Sequence, residues 1–157
     1  MSTGEPPTYH LAQVNLGRFH HPVDDPRNAE FVDNLDRINL LAEEQPGFVW
    51  RLKGDDGGPS SYLAISDDPL LAINLSVWEN GDAFWSYVYK TEHVTFLRRR
   101  RQWFQPMEEV FSCCWWVPAG HRPGVDEAMK KLDQLDREGP GDEVFLFRRP
   151  FPEPPTG

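Results

Sequence analysis

The chain has 157 residues, the size of one compact domain, and its 39% hydrophobic and 13% aromatic content argues against an intrinsically disordered protein. Its 16 basic and 25 acidic residues give a formal net charge of −9. The overall field therefore repels phosphate, which disfavours nucleic acid or an anionic membrane surface as the partner.

Hydrophobic periodicity and capping residues predict the first half of the chain in order. A first strand is followed by a helix that starts at Asp25-Pro26 and ends before Pro46-Gly47. Two strands then flank a long polar loop, which is rich in Gly, Asp, Ser and Pro. The predicted bounds are Tyr9–Leu16 for the first strand, 25–44 for the helix, Phe48–Leu52 and Leu70–Trp78 for the next two strands and 54–69 for the loop.

The second half begins with a helical region that is capped by Asn80 or Asp82, reaches Phe104 or Met107 and breaks near Thr91. A fourth strand, a charged helix with a narrow apolar stripe and an extended segment follow. Their predicted bounds are Ser112–Val117, Val125–Glu138 and Val144–Phe147.

The order β-α-β-β-α-β predicts an α+β fold: a ferredoxin-like sandwich of a four-stranded antiparallel sheet with helices on one face, and an extra C-terminal helix. We expect one domain over 9–151, with loose termini at 1–8 and 152–157. No element of one copy looks large enough to cover the other sheet face, so we expect a homodimer formed by sheet-to-sheet packing.

His93 and Arg100 stand out because both fall within an apolar stripe of the predicted third helix, two turns apart. A polar pair in such a place must be satisfied or must face a cavity. In the first case, Arg100 pairs with a buried carboxylate and His93 bonds to a backbone carbonyl. In the second, His93 is a catalytic acid or base and Arg100 holds an anionic or enolate oxygen. Arg98, Arg99 and Gln102 fall on the opposite, solvated side.

Polar residues within otherwise apolar strands are a second signal. Gln13 and Asn15 on the first strand, and Asn74 and Ser76 on the third, belong to neighbouring strands of this topology. Amide groups in an aromatic-lined pocket fix the orientation of a ligand, while satisfied core amides or a wet dimer interface are the alternative. Strand phase decides whether Trp50 or Arg51, and Trp115 or Trp116, lie beside them. The candidate substrate-binding residues are Asn15, Trp50, Asn74, Trp78, Phe96, Trp103 and Trp115.

Other patterns exclude whole classes of chemistry. The sequence has no Gly-rich phosphate loop, no G-x-S-x-G and no Cys/His nucleophile pattern. The adjacent Cys113 and Cys114 indicate reduced apolar thiols, and without a third cysteine nearby we predict no metal site. We predict no bound cofactor. No apolar run reaches the ~18 residues of a membrane span, and no secretory signal is visible, so we expect a cytoplasmic protein.

Several segments together resemble a bacterial family of unknown function in the dimeric α/β-barrel superfamily. They are Tyr9–Asn15, Phe31–Asn39, Pro46–Arg51, Asn74–Glu79, Tyr89–Phe104, Trp115–His121 and Phe147–Phe151. The resemblance covers nearly the whole chain and implies a ferredoxin-like protomer in a sheet-to-sheet dimer. The wider superfamily includes cofactor-free monooxygenases of the antibiotic-biosynthesis type, isomerases and cyclases, haem-binding enzymes and non-catalytic ligand-binding proteins.

Three functions follow as expectations. The first is a cofactor-independent monooxygenase or isomerase acting on an aromatic or polyketide-like substrate, with His93 as base and Arg100 beside Asn15 or Asn74 on the developing oxyanion. The second is a protein that binds a small hydrophobic or aromatic ligand without catalysis. The third is a haem-binding protein that uses His93.

Overall fold

The computed structural model describes residues 9–54, 67–107 and 110–154. Its centre is a four-stranded antiparallel sheet with strand order β2-β3-β1-β4. The strands are β1 (Tyr9–Arg18), β2 (Phe48–Arg51), β3 (Leu71–Trp78) and β4 (Ser112–Pro118). This order confirms the predicted α+β, ferredoxin-like arrangement, in which the split β-α-β units place β1 and β3 at the centre. Most of the predicted 54–69 loop, together with 1–8 and 155–157, lies outside the described residues.

Within the described ranges, four α-helices accompany the sheet: α1 (Ala29–Glu43), α2 (Gly81–Lys90), α3 (His93–Arg98) and α4 (Val125–Glu138). A short 3-10 helix, Pro26–Asn28, precedes α1, and the Asp25 side chain caps it by accepting a hydrogen bond from the Arg27 amide at 2.8 Å. The Asn80 side chain caps α2 in the same way, accepting from the Ala83 amide at 2.9 Å. Both capping signals were visible in the sequence.

The predicted helix through Phe104 ends early. It breaks near Thr91, as predicted, but α3 also stops at Arg98, and a 3-10 helix follows over Arg100–Gln102. The backbone after that turn is tied to the end of β1: the Trp103 carbonyl accepts from the His20 amide at 2.9 Å, and the Gln105 amide donates to the Arg18 carbonyl at 2.7 Å. A continuous helix would use these groups within itself, so docking onto β1 ends it.

The two faces of the sheet carry different helices. The face that we call the helical face packs its Trp78 against Ile38 and Ala42 of α1 and Phe84, Tyr87 and Val88 of α2. On the opposite face, which we call the α4 face, Ala12, Val14 and Val77 are buried with Ala128, Leu132 and Leu135 of α4. The expectation that one chain has no element to cover this face is therefore wrong.

A β-bulge interrupts β2. Phe48 is opposite Trp78, but the next partner pair is Trp50 and Val77, so Val49 is the extra residue. Because side chains alternate along a strand, this single residue moves Trp50 to the α4 face and Arg51, opposite Ser76, to the helical face.

Candidate functional site

Four polar side chains meet on the helical face, where the two central strands pair. Gln13 lies opposite Ser76, and Asn15 lies opposite Asn74. We call these four residues the amide patch. The four side chains lie on one face of the sheet, as the polar positions in the two strands suggested. Gln13 and Ser76 are buried, with 2% and 6% of their surface exposed, whereas Asn15 and Asn74 are exposed.

Hydrogen bonds join the patch into one network. The Gln13 Nε2 atom donates to Asn74 Oδ1 at 2.8 Å and to Ser76 Oγ at 2.7 Å. The Gln13 Oε1 atom accepts from Asn15 Nδ2 at 3.2 Å. The Trp78 indole also donates to Ser76 Oγ at 2.8 Å. The buried members are therefore satisfied, as polar groups in a core must be.

The exposed members keep binding capacity. Asn15 and Asn74 each use one amide atom inside the network, and among the described residues no partner is recorded for Asn15 Oδ1 or Asn74 Nδ2. The patch thus presents an acceptor, Asn15 Oδ1, and a donor, Asn74 Nδ2, side by side. Hydrogen bonds to Gln13 hold both side chains in place. Such a pre-organised pair can orient a carbonyl, phenol or enolate oxygen.

Aromatic side chains lie at both ends of the patch. Two residues beyond Ser76, the buried Trp78 stacks on Tyr87, with ring centroids 5.3 Å apart. Two residues beyond Asn15, Gly17 leaves room for the Phe104 ring, which stacks on Phe19 at 4.5 Å. Trp103 and Phe96 stack at 5.9 Å within the same cluster. Trp78, Phe96 and Trp103, which were predicted to bind a substrate, therefore lie in aromatic clusters beside the patch.

Trp50 and Trp115 were expected beside the patch, but they lie on the other face of the sheet. The β2 bulge turns Trp50 away. Trp115 faces α4, is 1% exposed and donates its indole hydrogen to Glu127 Oε2 at 3.0 Å. The alternatives that strand phase had left open, Arg51 and Trp116, take the helical face.

His93 lies at the start of α3 and is partly buried. Its Nδ1 atom is 3.3 Å from the Val88 carbonyl, and its ring packs on Tyr87, with centroids 4.8 Å apart. Burial lowers the pKa of His93 from its usual value, although the bond to Val88 opposes part of this shift. Since a carbonyl only accepts, Nδ1 carries the hydrogen and Nε2 keeps the lone pair. This is the backbone-carbonyl arrangement that was one of the two expectations.

Arg100 does not share a buried stripe with His93. It begins the 3-10 helix, its side chain is exposed, and its Nη1 atom donates only to the Leu97 carbonyl, at 3.4 Å, within the described part of the chain. The expectation that the His93 imidazole and the Arg100 guanidinium share one helix face assumed that the helix continues through both residues. In the structure α3 ends at Arg98, so the two side chains do not share a face.

A separate cavity of about 280 Å³ lies on the α4 face, away from the patch. It is lined by Leu16, Arg18, Leu71, Met107, Val110, Met129, Leu132, Asp133 and Asp136.

In residues 9–54, 67–107 and 110–154, no three His, Cys, Asp or Glu side chains are grouped to hold a metal ion. In those same ranges, no helix is both long and apolar enough to cross a membrane. Burial raises the pKa of both cysteine thiols, that of Cys113 to about 12.

Comparison with solved structures gives several similar chains. SnoaB, a cofactor-independent oxygenase from Streptomyces nogalater, is 20% identical, with a TM-score of 0.47, covering 74% of this chain and 97% of its own. A protein of unknown function from Nitrosomonas europaea is 12% identical, with a TM-score of 0.45 and coverages of 74% and 97%. A Chloroflexus aurantiacus protein provisionally named an antibiotic biosynthesis monooxygenase is 13% identical, with a TM-score of 0.43 and coverages of 74% and 98%.

None of the curated proteins compared with the chain matches it. A family model does, over residues 10–157, a range that lacks only Tyr9 of the strands and helices given above and that includes all four residues of the amide patch. The chain therefore belongs to the family described as "Domain of unknown function (DUF3291)".

Proposed function

We propose that this protein is a small-molecule enzyme of the cofactor-independent monooxygenase or isomerase type, and that its substrate binds on the amide patch. The observation that carries the proposal is the paired register of Asn15 and Asn74 over a buried, satisfied Gln13. Proton abstraction from an activated phenol or ketone creates an oxyanion, and the fixed amide donor Asn74 Nδ2 stabilises that charge. The aromatic clusters beside the patch suit an aromatic or polyketide-like substrate.

His93 is the proposed base. Its lowered pKa keeps the imidazole neutral at physiological pH, and Nε2 retains the lone pair that accepts a proton. Tyr87 and Trp78 separate its ring from Ser76, so this role requires a substrate that extends from the patch towards α3. Arg100 is left out of the proposed chemistry.

The test is oxygen consumption with anthrone as the probe substrate. The Asn74→Ala variant removes one oxyanion donor and is expected to lose about a hundredfold in kcat. Gln134→Ala, which removes an exposed amide on α4 at the other side of the sheet, is the matched control and keeps full activity. Equal turnover by the wild type and Asn74→Ala contradicts the proposal, and equal turnover by His93→Ala removes His93 from it.

Binding without catalysis is the second candidate, because the same amides would orient a ligand that does not react. In that case, anthrone quenches tryptophan fluorescence and Asn74→Ala weakens the quenching, while oxygen consumption stays at the rate without protein. A homodimer remains a prediction, but the α4 face is covered within one chain.

A further inference from the structure

Two basic side chains, Arg51 at the end of β2 and Lys53 just after it, flank the amide patch. Arg51 lies opposite Ser76, in the same cross-strand row as Gln13. The pairing continues with a 2.8 Å hydrogen bond from the Leu52 amide to the Leu75 carbonyl, so Lys53 comes next to Asn74 on the same face. The row of Gln13 and Ser76 thus ends in Arg51, and the row of Asn15 and Asn74 ends in Lys53.

The Arg51 guanidinium is mostly enclosed and only partly used. Its side chain is 16% exposed, and its Nε atom donates to Glu43 Oε1 at 3.2 Å. In the described part of the chain, no acceptor is recorded for its two Nη groups. A guanidinium with little water around it and free NH₂ groups is a natural partner for a planar anion such as a carboxylate.

The charges around Arg51 do not cancel. Glu43 Oε1 also lies 3.7 Å from the Lys53 Nζ atom, so one carboxylate serves two cations. The Arg51 charge is also felt by the Tyr87 phenol. Burial raises the pKa of Tyr87, and the positive charge of Arg51 opposes part of this rise. The local excess of one positive charge contrasts with the net charge of −9 of the whole chain.

We propose that Arg51 and Lys53 form an anion subsite beside the amide patch, and that the molecule bound there carries a carboxylate or an equivalent delocalised oxyanion. This inference rests on the proposed function, because the amide patch must hold the same molecule. Glu43 occupies Arg51 Nε and Lys53 in the absence of the ligand and competes with its anion. Arg51 is a specificity-determining residue that selects acidic over neutral ligands.

The test compares two probes of the same shape, anthraquinone-2-carboxylate and its neutral carboxamide, by calorimetry at low salt. The wild type is expected to bind the carboxylate at least about tenfold more tightly. Arg51→Gln removes this preference, and Arg51→Lys keeps part of it. Arg137→Gln on α4, which also breaks an ion pair, leaves the preference unchanged. Circular dichroism shows whether each variant is folded.

A second variant works in the opposite direction and so cannot be explained by damage to the fold. Glu43→Gln removes the competing carboxylate, and we expect tighter binding of the carboxylate probe with no change for the carboxamide. A purely structural Glu43–Arg51 ion pair predicts weaker binding of both probes or no change in either, and either result overturns the subsite.

The inference and the proposed function fail separately. If Asn74→Ala weakens both probes but the wild type binds them equally, the anion subsite is overturned and the amide patch stands. If Arg51→Gln removes the carboxylate preference but Asn74→Ala changes neither affinity, the amide patch does not hold the ligand and the combined proposal is overturned. Binding of neither probe also overturns the anion subsite, and the anthrone assay then tests the proposed function independently.

Discussion

The imidazole of His93 packs against the phenol ring of Tyr87, with ring centroids 4.8 Å apart. This contact joins α3 to α2 and removes the imidazole from water, which penalises its charged form. The consequence is measurable both at the residue and in the stability of the whole chain.

We predict that His93 titrates below its usual value of 6.5 in an NMR titration of the folded protein. Between the lowered pKa and about 6.5, the unfolded chain binds a proton that the folded chain refuses, so the free energy of unfolding falls as the pH is lowered through this window. Urea denaturation at several pH values measures the slope. His93→Phe keeps a ring on Tyr87 and should flatten it, while an NMR midpoint at or above 6.5 contradicts the burial argument.

Ser76 is predicted to be a structural as well as a binding residue. Its Oγ atom accepts from both Gln13 Nε2 and Trp78 Nε1, so Ser76→Ala leaves two buried donors without this acceptor. We expect a loss of about 1–3 kcal/mol in the free energy of unfolding, measured with urea. Ser86→Ala on α2 is the control and should change stability by less than about 0.5 kcal/mol. Equal stability of both variants would mean that water replaces Ser76.

Gly17 is predicted to be intolerant of any side chain. A Cβ atom at this position would lie 2.6 Å from two carbons of the Phe104 ring. We expect Gly17→Ala to lower the midpoint of thermal unfolding and to cost about 1–3 kcal/mol through overpacking. Gly141→Ala, with no atom within 4 Å of the new Cβ, is the control. Adding Phe104→Leu to Gly17→Ala should recover part of the loss, and failure to recover would place the strain elsewhere.

The coverage of the α4 face predicts that folding does not depend on a partner copy. Ala12, Val14 and Val77 are each at most 1% exposed in a single chain. The melting temperature should therefore stay constant over about a hundredfold dilution, as measured by differential scanning fluorimetry. A melting temperature that rises with concentration would show that association stabilises the fold and would support the homodimer that the sequence suggested.

Much of the fold was accessible from the sequence because the signals were local. Alternation of side chains located β1 and β3, and polar Gln13, Asn15, Asn74 and Ser76 indicated which faces coincide. Capping at Asp25 and Asn80 located two helix starts. These features depend on a few neighbouring residues, so the sequence alone determines them.

The parts of the site that could not be predicted depend on distant contacts. The backbone after α3 forms hydrogen bonds with the end of β1 and the residues that follow it, so the helix ends at Arg98 and Arg100 is separated from His93. A helical wheel assumes an unbroken helix and cannot include such a competitor. Predicting the burial of the α4 face would likewise have required knowing where α4 packs on the sheet.

The β2 bulge is the clearest case, since it changes the chemistry of the site without changing any residue type. It places Arg51 on the helical face, and an unbulged strand would place Trp50 there. An unbulged strand would place both Phe48 and Trp50 on the helical face, whereas the bulge places one aromatic side chain on each face. The difference depends on pairing with β3, which the short segment Phe48–Arg51 alone does not reveal.

The bulge also makes this strand tolerant of one particular deletion. Loss of the single codon for Val49 would remove the extra residue and leave Trp50 opposite Val77 and Arg51 opposite Ser76, so the strand would become regular without a change of side chains on either face. Among homologues of this chain, a sequence that is one residue shorter between Phe48 and Trp50 should therefore still carry its arginine on the helical face.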